Sequence, residues 1–248
     1  MGSEFLMFLA VGFFAQVIDG ALGMACGIVS TSVLLTMGVP IAQASAAVHT
    51  AEVFTTGASG LSHIAHGNVC RTLLIKLAVA GCCGAIVGAY LLSNIDGRIL
   101  RPFIATYLLL MGCLILRRAL SQSQRFKMPN FHVAPVGVAG GFLDAVGGGG
   151  WGSTVTSSLL GTDRPPREVI GTVNTAEFFV TTAAATTFFV ELGLAPLQVI
   201  MGLVTGGVLA APIGARIARF VPARQLLIAV GCLIIALALY QLAHFLTR

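Results

Sequence analysis

Apolar runs separated by short glycine-bearing or charged breaks fill the chain almost from end to end. Phe5 to Ile18 is the first run, closed by Asp19-Gly20, and Ile28 to Met37 is a second, shorter one closed by Gly38-Val39-Pro40. Together they predict a broken helical hairpin, either re-entrant or built of two short spans. Ile41 to His66 predicts one long helix, and Leu73 to Leu92 and Ile99 to Leu116 predict two more. The polar stretch Arg117 to Asn130 then interrupts the pattern. After it the same order returns: Val133 to Leu143, a glycine break, Ser153 to Leu160, then Pro166 to Val190, Leu197 to Ala215 and Leu226 to Phe245.

The return is in register. The stretch Asp19-Gly20-Ala21-Leu22-Gly23-Met24-Ala25-Cys26-Gly27 is echoed by Asp144-Ala145-Val146-Gly147-Gly148-Gly149-Gly150-Trp151-Gly152, 125 positions on. The same offset carries Pro40 onto Pro165, His49 onto Asn174, Thr50 onto Thr175, Ala51 onto Ala176, Glu52 onto Glu177 and Phe54 onto Phe179. The expectation is a duplicated unit, with a first repeat over 5–120, a linker over 121–131 and a second repeat over 132–248. Glycine-interrupted segments at matching places in two halves of a membrane protein point to a transport site.

Composition narrows the class. The 248 residues are 56% hydrophobic and 9% charged, with a mean hydropathy of +0.94. Soluble domains carry about 25% charged residues, so this chain could not cover a water-facing surface. Several runs approach the roughly 20 residues that cross about 30 Å of hydrocarbon. They are continuously apolar rather than alternating, which excludes a β-barrel. The fold class expected is an all-α polytopic membrane protein made of two inverted-topology repeats, each a glycine-broken hairpin plus three transmembrane helices.

Orientation follows from the basic residues. With the central linker in the cytoplasm, Arg71, Lys76, Arg117, Arg118, Arg125, Lys127, Arg164, Arg167, Arg216, Arg219 and Arg224 face inward, 11 of the 14 Lys and Arg. Arg98, Arg101 and Arg248 are left outside. The first repeat then runs outside to inside and the second inside to outside, with both termini on the outer face. Met1 to Phe5 reads as a cloning remnant, and no cleavable signal is expected, because the first apolar run opens the first repeat. The six cysteines show no CxxC spacing and mostly sit inside apolar runs, so they read as small buried hydrophobes.

The candidate chemistry lies on the long helices and at the breaks. Ser45, His49, Glu52, Thr56, Ser59 and His63 are spaced by 4, 3, 4, 3 and 4, which places them on one helical face. A rise of ~1.5 Å per residue brings His49 and Glu52 near mid-membrane. Asn174, Glu177 and Thr181 occupy the equivalent face of the second half. Ionisable groups at that depth face a cavity or a partner. Glu52 and Glu177 read either as clasps bonded to the broken hairpin's backbone or as a proton or substrate site. His49 reads as proton-linked or anion-contacting, against a neutral buried histidine; its equivalent, Asn174, does not titrate. His63 and His66 are spaced like metal ligands but lack a supporting cluster, so no metal is expected.

The helices after the breaks are expected to offer free N–H groups and a positive dipole end to an anion. The first break opens into Ser30, Thr31 and Ser32, and the second into Ser153, Thr154, Thr156 and Ser157. A nucleotide-binding reading of the glycines fails, because they follow a membrane segment rather than a strand. Gly81, Gly84 and Gly88 read as packing notches between helices.

The Asp-Gly-x-x-Gly-x-x-x-Gly break, the Pro40 turn, the His-Thr-x-Glu at 49 to 52 and the Asn-Thr-x-Glu at 174 to 177 resemble the sulfite exporter TauE/SafE family, over nearly the whole chain. The family's paired motif maps onto Asp19, Gly20, Gly23, Gly27, His49, Thr50 and Glu52, then Asp144, Gly148, Gly152, Asn174, Thr175 and Glu177. Trp151 opposite Cys26 departs from equality between the loops. The resemblance implies a bacterial-type inner-membrane transporter for sulfite, sulfonates or related oxyanions.

The expected function is a proton-coupled secondary transporter of a small sulfur-containing anion, working by alternating access. A small-anion channel is the alternative. The substrate site is expected to draw on Gly23, Cys26, Gly27, Ser30, Thr31, His49, Thr50, Gly148, Trp151, Gly152, Thr154, Asn174 and Thr175. Asp19, Glu52, Asp144 and Glu177 are the coupling or structural acids. An enzyme is not expected, since no nucleophile is paired with a base, although Cys26 keeps that class in view. No cofactor and no nucleic acid are expected; the partners are the anion, protons and the bilayer, and a homo-oligomer stays open.

Overall fold

The computed structural model describes residues 2–22, 26–120, 133–159, 164–217 and 222–246, and all of their regular structure is helical. The helices are α1 (Gly2–Leu22), α2 (Cys26–Thr36), α3 (Ile41–Ala65), α4 (Arg71–Asn94), α5 (Gly97–Leu120) and α6 (Val133–Gly147). A π-helical turn over Gly152–Thr156 runs into Ser157–Leu159, here together α7, and α8 (Pro166–Leu192), α9 (Leu197–Ile217) and α10 (Ala223–Leu246) follow. Gly23 and the expected linker 121–131 lie outside the described residues.

Starts and stops match between the long helices of the two halves. Pro40 precedes α3 and Pro165 precedes α8, both in extended backbone, with φ −56° and −57°. A proline there costs no helical hydrogen bond, because the first N–H groups of a helix have no partner within it. Gly67 (φ +66°) and Gly193 (φ +77°) stand just past the two C-termini, where a left-handed residue ends a helix most easily.

Large apolar side chains face outward, and a polar cluster is buried within the apolar core. Arg71–Asn94, Ile99–Leu120 and Arg224–Phe245 are long and apolar enough to cross a membrane. Phe14, Ile75 and Phe103 are each more than 60% exposed, whereas Ser45, His49, Thr172 and Thr181 are fully buried. Water would not tolerate that distribution; hydrocarbon outside and a shared polar interior account for it.

The long helices α3 and α8 pack together at the centre, where the hydroxyls of Thr56 and Thr181 meet at 3.5 Å. Around them α1 lies on α9, α6 on α4 and α10 on α5, so each main pairing joins the first half to the second. Shifting every residue by 125 exchanges α1 on α9 with α6 on α4 and returns α3 on α8 and α10 on α5 to themselves; α4 also packs along α8, and its shifted counterpart, α9 on α3, is a smaller contact. Glycines let these backbones touch. A Cβ on Gly84 would collide with the Val138 carbonyl, and one on Gly206 with the Leu9 carbonyl. Gly81 and Gly88 likewise face α6 and the elements beside it, so the three α4 glycines sit at helix contacts.

Two boundaries differ from the sequence reading. Helix α1 continues through Asp19 and Gly20 to Leu22, and α6 continues through Asp144 to Gly147. One glycine costs a helix only ~1 kcal/mol, and an aspartate near a C-terminus can stay helical while its side chain reaches forward. The second break falls instead on Gly148 (φ +68°) and Gly149 (φ +156°), a backbone that side-chain-bearing residues rarely adopt.

Candidate functional site

Each aspartate caps the helix beyond its own break. Asp19 Oδ1 accepts the Cys26 N–H at 3.2 Å. At the equivalent place Asp144 Oδ1 accepts the N–H groups of Gly150 at 2.7 Å and Trp151 at 2.9 Å. Three of the N–H groups at these helix starts, those of Cys26, Gly150 and Trp151, are therefore engaged by the chain's own carboxylates. The physical reason is distance: a carboxylate on the preceding helix reaches across the break and satisfies orphan donors at the positive end of the next helix.

The two breaks meet. Thr31 Oγ1 donates to the Gly148 carbonyl at 3.2 Å. A Cβ on Gly27 would strike that same carbonyl, and one on Gly149 would strike the Ile28 nitrogen. Alongside this contact lies a cavity with about 30 Å³ open to water, lined by Asp19, Cys26, Gly27, Glu52, Asp144 and Glu177, with Thr55, Thr56, Gly149 and Gly152 completing it. About 10–15 Å³ holds one water, so the space takes small polar occupants. A second, largely apolar recess beside it includes Gln16, Cys26, Ser30, Glu52 and Thr55. Glu52 is 6% exposed and belongs to both, and its Oε2 has no hydrogen-bond partner among the described residues.

His49 sits beside the cavity and is fully buried. Its Nδ1 lies 2.8 Å from the Ser45 carbonyl, which can only accept, so Nδ1 carries a proton. The Ser45 hydroxyl donates to the Ala145 carbonyl at 2.6 Å, and its own 3.3 Å contact with Nδ1 must therefore be received rather than given. That leaves Nε2, 3.3 Å from Asp144 Oδ2. Two lone pairs cannot form a hydrogen bond, so a bond at this contact requires a proton on Nε2 or on the carboxyl. The pair is either imidazolium with carboxylate or imidazole with carboxylic acid, and in both it joins α3 of the first half to α6 of the second. One ligand atom each of His49, Glu52 and Asp144 lies within 4.8 Å of the others, a spacing that could hold a small metal cation.

The other expected site residues are spread over several places. Gly27, Gly148 and Thr31 make the contact between breaks, and Cys26, Gly152 and the four acids line the cavity, with Ser30 in the neighbouring recess. Thr50 and Thr175 hydroxyls are bonded to the carbonyls of Ala46 and Gly171, one turn back on their own helices. Asn174 turns away from the acids, its Nδ2 reaching Ser59 Oγ at 3.4 Å and His63 Nε2 at 3.5 Å. Trp151 is wholly buried, donating Nε1–H to the Val173 carbonyl at 3.2 Å with its ring in the Gly81 notch. Thr154 is absent from both cavities; its N–H bonds the Gly150 carbonyl at 3.0 Å and its carbonyl accepts Ser158 Oγ.

Sequence reasoning missed Thr55, Gly149 and Gln16 as cavity residues, and placed Thr56 only on the polar face. The offset held a usable signal for one of them, since Thr56 and Thr181 are an equivalent pair that meets directly.

Comparison with known proteins agrees with this architecture. Residues 8–241 match the family described as sulfite exporter TauE/SafE. A probable membrane transporter protein, YtnM, of Bacillus subtilis (strain 168) is 42% identical over 221 residues, covering 86% of this chain and 74% of that protein. No solved structure matches the chain. With the family matched over nearly its whole length, and a buried polar centre wrapped in apolar helices, the chain belongs to the sulfite exporter TauE/SafE family of membrane transporters.

Proposed function

We propose that the protein is a proton-coupled secondary transporter that moves a small sulfur-containing anion, such as sulfite, a sulfonate or a related oxyanion, across a bacterial-type inner membrane. The observation that carries proton coupling is the His49–Asp144 contact, which needs a proton in this conformation and ties one half to the other. The central cavity between the two breaks is the substrate site in this reading. Its lining comes from α1, α2, α3, α6, α7 and α8, so relative motion of the halves would change its exposure. The exchange of helix pairings under the 125-residue shift supports two repeats related by a two-fold axis, the arrangement suited to alternating access. The test is flux in proteoliposomes against sulfite, thiosulfate, sulfoacetate and taurine. Saturable, pH-dependent flux is the expected result; unsaturable flux indifferent to pH would make the protein a channel.

Inverted topology with both termini outside belongs to the same proposal. Cysteine placed at Ser123, in the linker, is expected to react with impermeant thiol reagents from the cytoplasmic face only. Reaction from the outer face alone would reverse the assignment.

A further inference from the structure

We propose that protons and the anion occupy the central cavity together, which makes the protein a proton–anion symporter rather than an exchanger. The proposal rests on the anion-carrier reading above and concerns the sign of the coupling. The cavity receives Asp19 from α1, Glu52 from α3, Asp144 from α6 and Glu177 from α8, with Cys26 from α2, and among the described residues no lysine or arginine lines it. From α5 comes Tyr107, whose buried hydroxyl has no hydrogen-bond partner among the described residues and lies against Gly150. Helix α9 contributes Leu203 and Gly207 to the adjoining recess. The basic side chain beside the cavity among the described residues, His49, already faces Asp144. Glu52 adds a second observation beside the clustering: its side chain lines the cavity, and its buried Oε2 has no partner among the described residues. An unmade hydrogen bond at a buried acid marks a place where a ligand or proton is received.

The sign follows from charge. Oxyanions entering such a cavity are repelled by ionised carboxylates and accept hydrogen bonds from protonated ones. Protonation therefore strengthens anion binding, and by reciprocity anion binding strengthens proton binding to the same degree. Ligands that reinforce each other load and cross together. An acidic site produces exchange when the substrate is a cation, because cation and proton then compete for the same carboxylates. With an anion the same residues give the opposite outcome. Under an inward proton gradient the anion is driven inward.

The test uses the full-length chain with thiosulfate and sulfoacetate, whose charge is fixed near neutral pH. In weakly buffered detergent solution, binding is expected to take up protons, read with a pH-indicating dye. In proteoliposomes, acid outside should raise uptake roughly tenfold or more over equal pH, and acid inside should slow it. Glu52→Gln is expected to lower proton uptake per bound anion while the protein stays monodisperse and melts near the wild-type temperature. Saturable binding with proton release, or with no proton change, overturns the symport inference and leaves the carrier reading standing. No binding of either anion, nor of sulfite or taurine, removes the carrier reading and this inference with it.

Discussion

Changing His49 to asparagine is expected to cut transport roughly tenfold or more, or to leave a residual rate that no longer varies across the range where histidine titrates, about pH 5 to 8. Asparagine is the informative replacement, because the second half already carries Asn174 at the matching place. Asp144→Asn is the companion. Its Oδ1 can still accept from Gly150 and Trp151, so the helix cap survives, while its amide N–H can bond a neutral Nε2 without any added proton. Both variants should melt close to wild type in detergent and both should show a flat pH profile. Full transport with an unchanged profile in His49→Asn would reduce this histidine to packing.

Trp151→Ala is expected to produce the largest loss of stability. The indole is wholly buried, fills the notch at Gly81 and lies beside Gly140 and Val180, and holds a backbone carbonyl of α8. Removing a buried tryptophan or phenylalanine side chain typically costs ~3–5 kcal/mol, and here it also removes the indole's bond to the Val173 carbonyl. Thermal unfolding of the purified protein is the measurement. Trp151→Phe keeps most of the volume and should recover most of the loss. A melting temperature unmoved by alanine would show that α4, α6 and α8 hold together without this wedge.

The fold was legible where local chemistry decides it. Pro40 and Pro165 mark helix starts, the 125-residue register pairs the halves, and Gly81, Gly84 and Gly88 reach helix contacts, as their spacing implies. The site was legible only in part, for a physical reason. A residue's type fixes what it can bond, but its partner often comes from the other half, and no local pattern names that partner. His49 read as proton-linked, yet nothing near it in sequence pointed to Asp144, 95 positions away. Thr50 and Thr175 read as ligand contacts, and here each hydroxyl donates to the carbonyl one turn back, the nearest acceptor to a threonine in an apolar helix. The aspartates hid the helix ends for a similar reason: nothing in a one-dimensional pattern separates a residue that stops a helix from one that reaches past its end.

Trp151 and Cys26 occupy equivalent places, and one fills its notch while the other borders open space. In a perfectly duplicated carrier the two end states of the cycle would be interchangeable, equal in free energy, and the unloaded protein would divide its time evenly between them. A tryptophan buries about 150–250 Å² of surface, and a cysteine far less. Any part of that difference that changes between end states tilts the equilibrium, and ~1.4 kcal/mol already makes the ratio ten to one. Under the proposed mechanism the empty molecule therefore rests facing one side. The return tilt has to come from what binds, because a ligand moves such an equilibrium only by preferring one state over the other.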